Sequence, residues 1–585
     1  MLHSSTFLRI LLKYLTICII LKRFLILFAS SICLKPEAFI NLSKTRLYDN
    51  IAPLSRQNIS GQPYELKLSL TGHPVDRKAH FTQSSHKPKS NFLSECIERG
   101  MISQTTDFVK IDELLSEYEN KNFNNEMCAS VYYGIDCTND FIHEGTLFQL
   151  MFLRRFLSQR FNVVLVIGGG TTLVGDPSYK LRKNRQDSSY FSEVLGPADG
   201  VQFDTSREDA ICSVATKILS LPMEINGEVI RPKVHHIKDL ESEVDIATEM
   251  CNPYKVFVFN NRDLYKKVNL MEYLESVARN MNVGRMLTRD CIKMRIVEKD
   301  REHSKRSVNM DLSELMYMSL QAMDFVYLAQ RLNCKIQLGG NDQMGNIVSG
   351  IELADALGID NVFGLTTPLL EDKFGEKISK SGSNCFLKIT KETSPHEFWS
   401  HFRSIDDSLV ERYIKWFTKV PLEKIEKTIS DHYNTAKVLL ADELTSEIYG
   451  QQVVDLIHRF FMSKGFEDLA PFMSSKEVDL ETFQDLVNLT KLVPYYELPL
   501  VKLKEAVELT LVLDIIRVPQ FSNSSFHSNK KFIREGACKI NGQVVDDIGY
   551  KLTQKDVVKL TSCGNEHKYI LIQLGKRKLY FVIVT

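Results

Sequence analysis

The sequence has no C-x-x-C pair. Its 12 cysteines are scattered along 585 residues, which indicates neither a zinc ribbon nor a disulfide framework and leaves reduced core or surface thiols. Net charge is also missing. Lys+Arg and Asp+Glu both number 73, so the molecule as a whole has no electrostatic bias toward nucleic acid or membrane, and any such surface must be local. No fixed-period repeat is visible, which argues against a solenoid. Nor is there an uninterrupted apolar run suited to crossing a bilayer: residues 7–34 are largely apolar but are broken by Arg9, Lys13, Lys22 and Arg23, charges that are costly inside a membrane helix.

With 44% hydrophobic and 25% charged residues, the composition is that of a soluble globular chain. The length calls for several domains, since single cores cluster at roughly 100 to 150 residues. The amino-terminal stretch reads as a removable leader. Residues 24–34 have the length of a signal-peptide apolar core, preceded by basic residues and containing the small residues Ala29, Ser30 and Ser31. Residues 1–60 carry eight Lys/Arg against two acids, and the polar, Ser-containing character continues to about residue 94, as in an organelle transit peptide. A signal followed by such a region resembles the two-part leaders of complex plastids, which favours an apicoplast-type plastid over the mitochondrion. A signal anchor or a misplaced start codon is the alternative; with the leader removed, no stable membrane association is expected.

After residue 125 the pattern becomes strand (130–135), helix (146–156) and a buried apolar strand (163–167) ending in Gly168, Gly169 and Gly170. This βαβ opening places ligand groups at the carboxyl edge of a parallel sheet. Residues 186–258 read as a less regular insertion. Residues 310–332 read as a long helix with Leu312, Leu315, Met316, Leu320 and Met323 on one apolar side. Helices are expected from 395 to about 491, and Pro494 with Pro499 marks a linker before the last segment. The expected units are a leader over 1–95, a catalytic domain with an insertion over 96–394, a helical domain over 395–493 and a C-terminal α+β unit over 494–585.

Five constellations carry candidate chemistry. The first, Y-Y-G-I-D-C-T-N-D-F-I-H-E-G-T over 132–146, lies between a strand and a helix start, where backbone N–H groups attract phosphate; Thr138 and His143 can donate to phosphate oxygens, and Gly145 would let a base or ribose approach. Taken alone, His143 is as well explained as a helix cap. In the second, G-G-G-T-T-L-V-G-D-P-S over 168–178, Asp176 suits an ammonium group. The spacings G-x-x-x-x-G-K-[ST] and G-x-G-x-x-G are absent there, which disfavours a P-loop or a dinucleotide fold, and a tight turn with Asp176 as cap remains open. Third, Tyr317, Gln321 and Asp324 fall at i, i+4 and i+7 on one face of the long helix; a solvated stripe has the same spacing. Fourth, Q-L-G-G-N-D-Q over 337–343 follows a strand, with Asp342 suited to ribose hydroxyls. Fifth, G-E-K-I-S-K-S-G over 375–382 sets Lys377 and Lys380 in a Gly- and Ser-rich loop, a cationic clamp for a triphosphate; a lone K-x-x-K would be read as a solvated loop.

H-E-G-T at 143–146 together with K-I-S-K-S at 377–381 resembles the two signatures of class I aminoacyl-tRNA synthetases, in the same order. Within that class the sequence resembles the bacterial and organellar tyrosyl type through Y-x-G-x-D-x-T, V-G-D-P-S, Y-x-x-L-Q-A-x-D-F and L-G-G-x-D-Q-x-G-N-I, from about residue 100 to the end. The family usually has Ile and His or Asn where Glu144 and Thr146 stand, Cys at Tyr133, Pro at Cys137 and Trp at Met344. The resemblance implies a Rossmann-like, doubly wound parallel-sheet catalytic domain, a helical anticodon domain and an S4-like RNA-binding domain. It implies activation of tyrosine by ATP, with magnesium on the phosphates, and transfer of the tyrosyl group to tRNA(Tyr) by a homodimer. It further implies Thr138, His143, Lys180, Lys377, Lys380 and Ser381 at the leaving phosphates, and Tyr132 and Asp324 at the phenolic hydroxyl. Asp176, Tyr317 and Gln321 would then hold the α-ammonium and Gln343 would lie near the carboxylate, while Asp136, Gly145, Gly340, Asp342 and Lys380 contact ATP.

From residue 500 to 585 there are 14 Lys/Arg against 8 acids, so RNA is expected here. Lys530, Lys531 and Arg534 recur at helical spacing, Gly536 ends the helix, and Asn541-Gly542 makes a hairpin turn after a strand over 537–540. A solvated charged face is the plain alternative. Residues 521–528 are rich in Ser and Asn and read as a small insertion. Two rival functions share most of these features: a tryptophanyl enzyme, and a synthetase-derived RNA-binding or splicing factor.

Overall fold

The computed structural model describes residues 87–120, 127–176, 205–239, 243–289, 292, 312–371, 387–462, 469, 471–517, 530–531, 533–575 and 578–585. Residues 78–585 make one compact unit. The expected insertion at 521–528 and nearly all of the expected leader lie outside the described residues.

Folded structure begins before residue 96, where the sequence suggested it would. Helix α1 (Asn91–Glu98) is capped by Ser90, whose hydroxyl accepts from the Leu93 N–H. The Ser90 and Lys89 amides donate to Asp112 on α2 (Phe108–Asn120). Phe92, Leu93 and Cys96 form the buried face of α1, a one-turn apolar stripe hidden in a Ser- and Lys-rich stretch.

The central sheet has seven strands: β1 (Gln104–Thr105), β2 (Ser130–Ile135), β3 (Asn162–Ile167), β4 (Lys233–His236), β5 (Lys255–Asn260), β6 (Cys334–Gly340) and β7 (Phe363–Thr367), in the spatial order β1-β7-β6-β2-β3-β5-β4. All neighbours are parallel except β1 on β7. Alternate residues feed two cores. Val131, Val163, Leu165, Ile167, Val258 and Leu338 face one; Tyr132, Val164, Val166, Phe257 and Phe259 face the other. Burial on both faces is why these strands read as short continuous apolar runs.

Two strands of the central sheet, β4 and β5, helix α4, a separate hairpin (Met223–Ile225 with Glu228–Ile230) and a short helix (Glu243–Met250) occupy part of the stretch expected to be an irregular insertion. The V-F-V-F run of β5 is fully sheet-like, but β4, Lys-Val-His-His, is an edge strand without apolar alternation and gives no strand signal. Helix α3 (Glu144–Ser158) packs on the first face, α4 (Ser206–Leu219) beside it, and α5 (Leu312–Arg331) with α6 (Met344–Ala356) on the second. The buried side of α5 includes Tyr317, Met318, Ala322, Met323, Asp324, Phe325 and Leu328. The expected stripe holds in part: Met323 is buried, and Leu315, Met316 and Leu320 are half-buried and pack against core clusters, but Leu312 is exposed.

A helical region follows, with α7 (Pro395–Arg403), α8 (Asp407–Phe417), α9 (Leu422–Asp431), α10 (Tyr433–Tyr449) and α11 (Leu480–Leu492). It shares the first core with the sheet. The C-terminal sheet comprises β8 (Lys476–Glu477), β9 (Tyr495–Leu498), β10 (Cys538–Ile540), β11 (Gln543–Val545), β12 (Val558–Ser562), β13 (Asn565–Leu574) and β14 (Lys578–Val584). One of these strands, β8, comes from within the stretch expected to be purely helical and pairs parallel with β12. The β10–β11 hairpin turns at Asn541 and Gly542, both at positive φ (48° and 82°), as the Asn-Gly pair dictates for a two-residue turn.

Two arginines near the end of α3 tie the sheet and helical regions together. Arg154, 2% exposed, donates to the carbonyls of Ile218, Leu221 and Pro222 and to Glu447 of α10. Arg155 donates to the Thr418 carbonyl after α8. Removing a buried guanidinium strands its acceptors and its ion-pair partner. Arg154→Ala is expected to cost about 3 kcal/mol, read as a lower midpoint in chemical or thermal unfolding; an unchanged midpoint would contradict this role.

Candidate active site

The strand order reverses between β2 and β6, and there the carboxyl edges of the two strands diverge into a cleft, the position where open parallel sheets bind ligands. Tyr132, Asp136, His143, Gly145, Asp176, Tyr317, Gln321, Asp324, Gly340, Asp342 and Gln343 all line it. Eleven candidates drawn from four separated stretches of sequence thus meet in one place. Thr138 does not join them; it is exposed and off the lining. Lys180, Lys377, Lys380 and Ser381 lie outside the described residues, although Leu370, just ahead of the lysine loop, is part of the lining.

At the base of the cleft Asp324, 2% exposed, accepts from Asn261 Nδ2 at 2.9 Å and from the Tyr265 hydroxyl at 3.0 Å, both on its Oδ2. Its Oδ1 has no protein partner among the described residues, and the same holds for the Tyr132 hydroxyl and for Gln337 Oε1. Tyr132 and Gln337 are direct neighbours across β2 and β6, so their side chains share the sheet face on which Asp324 sits. Burial pushes the Asp324 carboxyl up to about 8, against the pull of the two hydrogen bonds, with Asp136 adding to the rise. A carboxyl that is mostly protonated at neutral pH can both donate and accept. Burial, then the nearby Asp324, likewise holds the Tyr132 phenol protonated.

A second polar group lies toward the mouth. The Tyr317 hydroxyl donates to Asp136 Oδ2 at 3.0 Å and Thr171 Oγ1 to Asp136 Oδ1 at 2.8 Å. Gln343 Nε2 donates to Asp176 Oδ2 at 2.8 Å, and Asn346 Nδ2 to Gln343 Oε1 at 2.9 Å. His143 caps α3, its Nδ1 accepting from the Gly145 N–H at 3.0 Å. A Cβ on residue 145 would stand 2.8 Å from the imidazole Cε1, so the glycine is needed for the ring to fold back over the turn. Thus the cap and ligand readings of His143 are compatible: Nδ1 is used in the cap, and the ring still faces the cleft.

The glycines at 168–170 have a different use from the one their position suggests. A Cβ on Gly168 would lie 2.4 Å from Asp136 Oδ1, and one on Gly170 would lie 2.4 Å from the Tyr265 ring. The run makes room for side chains that build the site, and Tyr265 reaches Asp324 across it. Asn261, Tyr265 and Gln337 were not singled out by sequence reasoning. The first two follow β5, the strand assigned to an insertion. Gln337 lay within a recognised motif, but its neighbours Asp342 and Gln343 carried the more familiar chemistry. Of the positions that depart from the family pattern, Tyr133 and Thr146 line the cleft and their side chains hydrogen-bond each other, whereas Glu144 turns away from it.

Lys530 is half-buried, and Lys531 and Arg534 are exposed on the helix before β10, with Lys531 3.8 Å from Glu535. They are remote in sequence from the cleft and belong to the C-terminal unit.

Such a cleft, at the reversal point of a parallel sheet with His143 at the following helix start, is placed where Rossmann-like folds bind nucleotides. The family model for class I tRNA synthetases (W and Y) matches residues 124–462. The chain belongs to that family. Among its relatives, the tyrosine–tRNA ligase of Ehrlichia ruminantium (strain Gardel) is 30% identical over 503 residues, spanning 85% of this chain and 99% of that protein. The tyrosine–tRNA ligase of Wolbachia pipientis subsp. Culex pipiens (strain wPip) is 29% identical over 495 residues, spanning 83% and 99%. The structure of a C-terminally truncated Aspergillus nidulans mitochondrial tyrosyl-tRNA synthetase aligns with 65% of this chain and 96% of its own length, at 23% identity and a TM-score of 0.46.

The raised Asp324 carboxyl has a consequence for stability. Its folded pKa lies above its unfolded value, so ionisation is penalised in the folded state: the contribution is fully present below about pH 4 and is lost as pH rises through about 8. Melting temperatures of wild type and Asp324→Asn, measured from pH 4 to 9, are expected to diverge in favour of the variant up to about pH 8 and then run parallel. A pH-independent difference would show that Asp324 titrates normally.

Proposed function

We propose that this cleft activates tyrosine with ATP, giving tyrosyl-adenylate and pyrophosphate, and that the chain then passes the tyrosyl group to tRNA(Tyr). The observation that carries this reading is the buried set of Tyr132 hydroxyl and Asp324 Oδ1, two polar atoms without protein partners at the base of the cleft. A phenolic hydroxyl entering there pairs with both, whereas phenylalanine leaves both unpaired and is rejected by that desolvation cost. Asp176, with Tyr317 and Gln321, then receives the α-ammonium and Gln343 lies toward the carboxylate. Asp342, with Asp136, Gly145 and Gly340, faces the adenosine side.

Charge explains the need for the lysine loop. Beside the largely protonated Asp324, three further aspartates, Asp136, Asp176 and Asp342, and no Lys or Arg line the cleft among the described residues. A site of this sign attracts an ammonium group and repels a triphosphate. The balance is supplied by His143, by Lys377, Lys380 and Ser381, and by Lys180, which counter the charge that moves onto pyrophosphate. Magnesium enters as the phosphates' own counter-ion, held mainly by nucleotide oxygens and water. The tyrosine carboxylate is the nucleophile at the α-phosphorus, so the chain's contribution is positioning and charge stabilisation, with no covalent enzyme intermediate.

Three further parts belong to the same reading. The C-terminal sheet, with Lys530, Lys531 and Arg534, acts as an S4-like RNA-binding unit, supported by its local basic excess. Leu270, Met271, Val283 and Leu312, each more than half exposed, support a homodimer that covers this apolar surface. The basic, apolar amino-terminal stretch supports import into an organelle, an apicoplast-type plastid before a mitochondrion; no described helix is long and apolar enough to cross a membrane.

ATP–pyrophosphate exchange by the full chain is expected with tyrosine and not with phenylalanine or tryptophan. Exchange with tryptophan alone would reassign the substrate, and no exchange with any amino acid would favour the RNA-binding rival. Asp324→Ala is expected to lower tyrosine-over-phenylalanine selectivity at least roughly tenfold, the cost of about one unpaired buried polar group; unchanged selectivity would remove Asp324 from the substrate pocket.

A further inference from the structure

Glu144 is the first residue of α3, between His143 and Gly145, which both line the cleft, yet its own side chain is not part of the lining. It is 2% exposed and points into the helical region. Its Oε1 lies 2.5 Å from His401 Nε2 on α7 and 3.2 Å from the Leu387 amide; its Oε2 accepts from the Tyr413 hydroxyl on α8 at 2.6 Å. An ionised carboxylate only accepts, so the His401 Nε2 carries the proton. Burial alone would raise the Glu144 carboxyl, but the charge of His401 and hydrogen bonds from His401, Tyr413 and Leu387 hold it below the usual carboxylate value. Beside it, Ile142 and Ile389 exchange a pair of backbone hydrogen bonds at 3.0 and 2.9 Å, and the Lys388 ammonium sits 4.8 Å from the centre of the Phe141 ring.

One buried carboxylate therefore joins three pieces of chain: the turn carrying His143, the segment 387–389, and the two helices that open the helical region. An acidic residue at a helix start would ordinarily face, and repel, an anion bound there. Here the charge is directed to the opposite side of the turn and matched by three donors. An aliphatic side chain at this position would supply contact without direction, whereas three hydrogen bonds to a charged acceptor fix the angle at which α3 leaves the loop.

We propose that Glu144 is a positioning residue for the ATP side of the cleft, setting the His143–Gly145 turn by locking it to His401 and Tyr413 without itself touching substrate. The proposal rests on the reading of the cleft as the site of tyrosine activation. Its consequence is selective: the ATP side follows the Glu144 anchor, while the tyrosine pocket, built from β2, β6 and α5, does not.

The test is ATP–pyrophosphate exchange by the full chain, with KM for ATP and for tyrosine measured separately and melting temperatures recorded alongside. Glu144→Gln is expected to raise KM for ATP roughly tenfold, the loss of about one charge-assisted hydrogen bond, with KM for tyrosine changed less than about twofold. His401→Ala, outside the cleft lining, is expected to give the same ATP-selective rise. Tyr413→Phe removes a single hydroxyl and keeps the ring; it covers the case in which the other variants do not fold, and a smaller rise of the same kind is expected. Unchanged KM for ATP in the folded variants, or equal rises for both substrates, would overturn the proposal. Failure of the wild-type chain to exchange would instead overturn the reading of the cleft.

Discussion

The arrangement of this molecule follows from one constraint, the burial of a parallel sheet on both faces. Parallel neighbours cannot be joined by hairpins, so each connection between them crosses over through a helix, and the helices cover the Val, Leu, Ile and Phe side chains on both faces. When such a sheet is wound outward from β2 in two directions, the connections leaving β2 and β6 part on opposite faces. The gap they leave has walls of backbone at strand ends and the start of α3. Residues as distant as Tyr132 and Gln337 become neighbours there because register, set by hydrophobic packing over several residues, fixes them together.

Much of this was legible in the chain because the informative segments are short and local. The β2–α3–β3 opening shows a buried strand, a capped helix start and a glycine turn in sequence, and the structure has each in place. The helix carrying Tyr317, Gln321 and Asp324 was equally visible, and its polar face does turn into the cleft. What failed in part was the judgement of which apolar residues face the core. Leu312 looks like a core residue, while Tyr317 and Asp324 look like surface residues. The buried Asp324 is held by Asn261 and Tyr265, 63 and 59 residues away just after β5, and Tyr317 by Asp136 after β2, partners that leave no trace in the helix's own pattern. The edge strand β4 failed for a related reason: an edge needs little apolar surface, so it carries little pattern. The lead-in helix α1 was missed because a short capped helix with three buried residues is weaker than the compositional signal around it.

Glu144 shows the limit of motif reading from the other side. As a departure from a signature it suggests an altered ligand contact, and only the partners of its carboxylate show that the change belongs to packing between regions. Arg154 and Arg155, further along the same helix, belong to the same interface. Their guanidinium groups bond carbonyls left over at helix ends, groups that need donors when buried. Helix α3 therefore carries polar links to the helical region at both its first turn and its last, with the apolar Phe148, Phe152 and Phe156 packed between. A helix fixed in this way has little freedom to change its tilt, and its first turn is the part that reaches the cleft.

The base of the cleft uses polar burial in the opposite sense. At the interface of α3 with the helical region both oxygens of Glu144 have donors, and Glu447 and the Thr418 carbonyl have theirs in Arg154 and Arg155, which stabilises the folded chain. Beneath Asp324, the Tyr132 hydroxyl, Asp324 Oδ1 and Gln337 Oε1 are buried with no protein partner among the described residues, an arrangement that costs stability until something pairs with them. Such a cost is tolerated only where the rest of the structure over-determines the side chains. Here the ring of Tyr132 lies 5.3 Å from Phe325, and Asn261 and Tyr265 hold the other oxygen of Asp324. Because these groups cannot turn to satisfy one another, selectivity follows from the folded state itself: a ligand that supplies a hydroxyl recovers the deficit, and one of the same shape without it leaves the deficit in place.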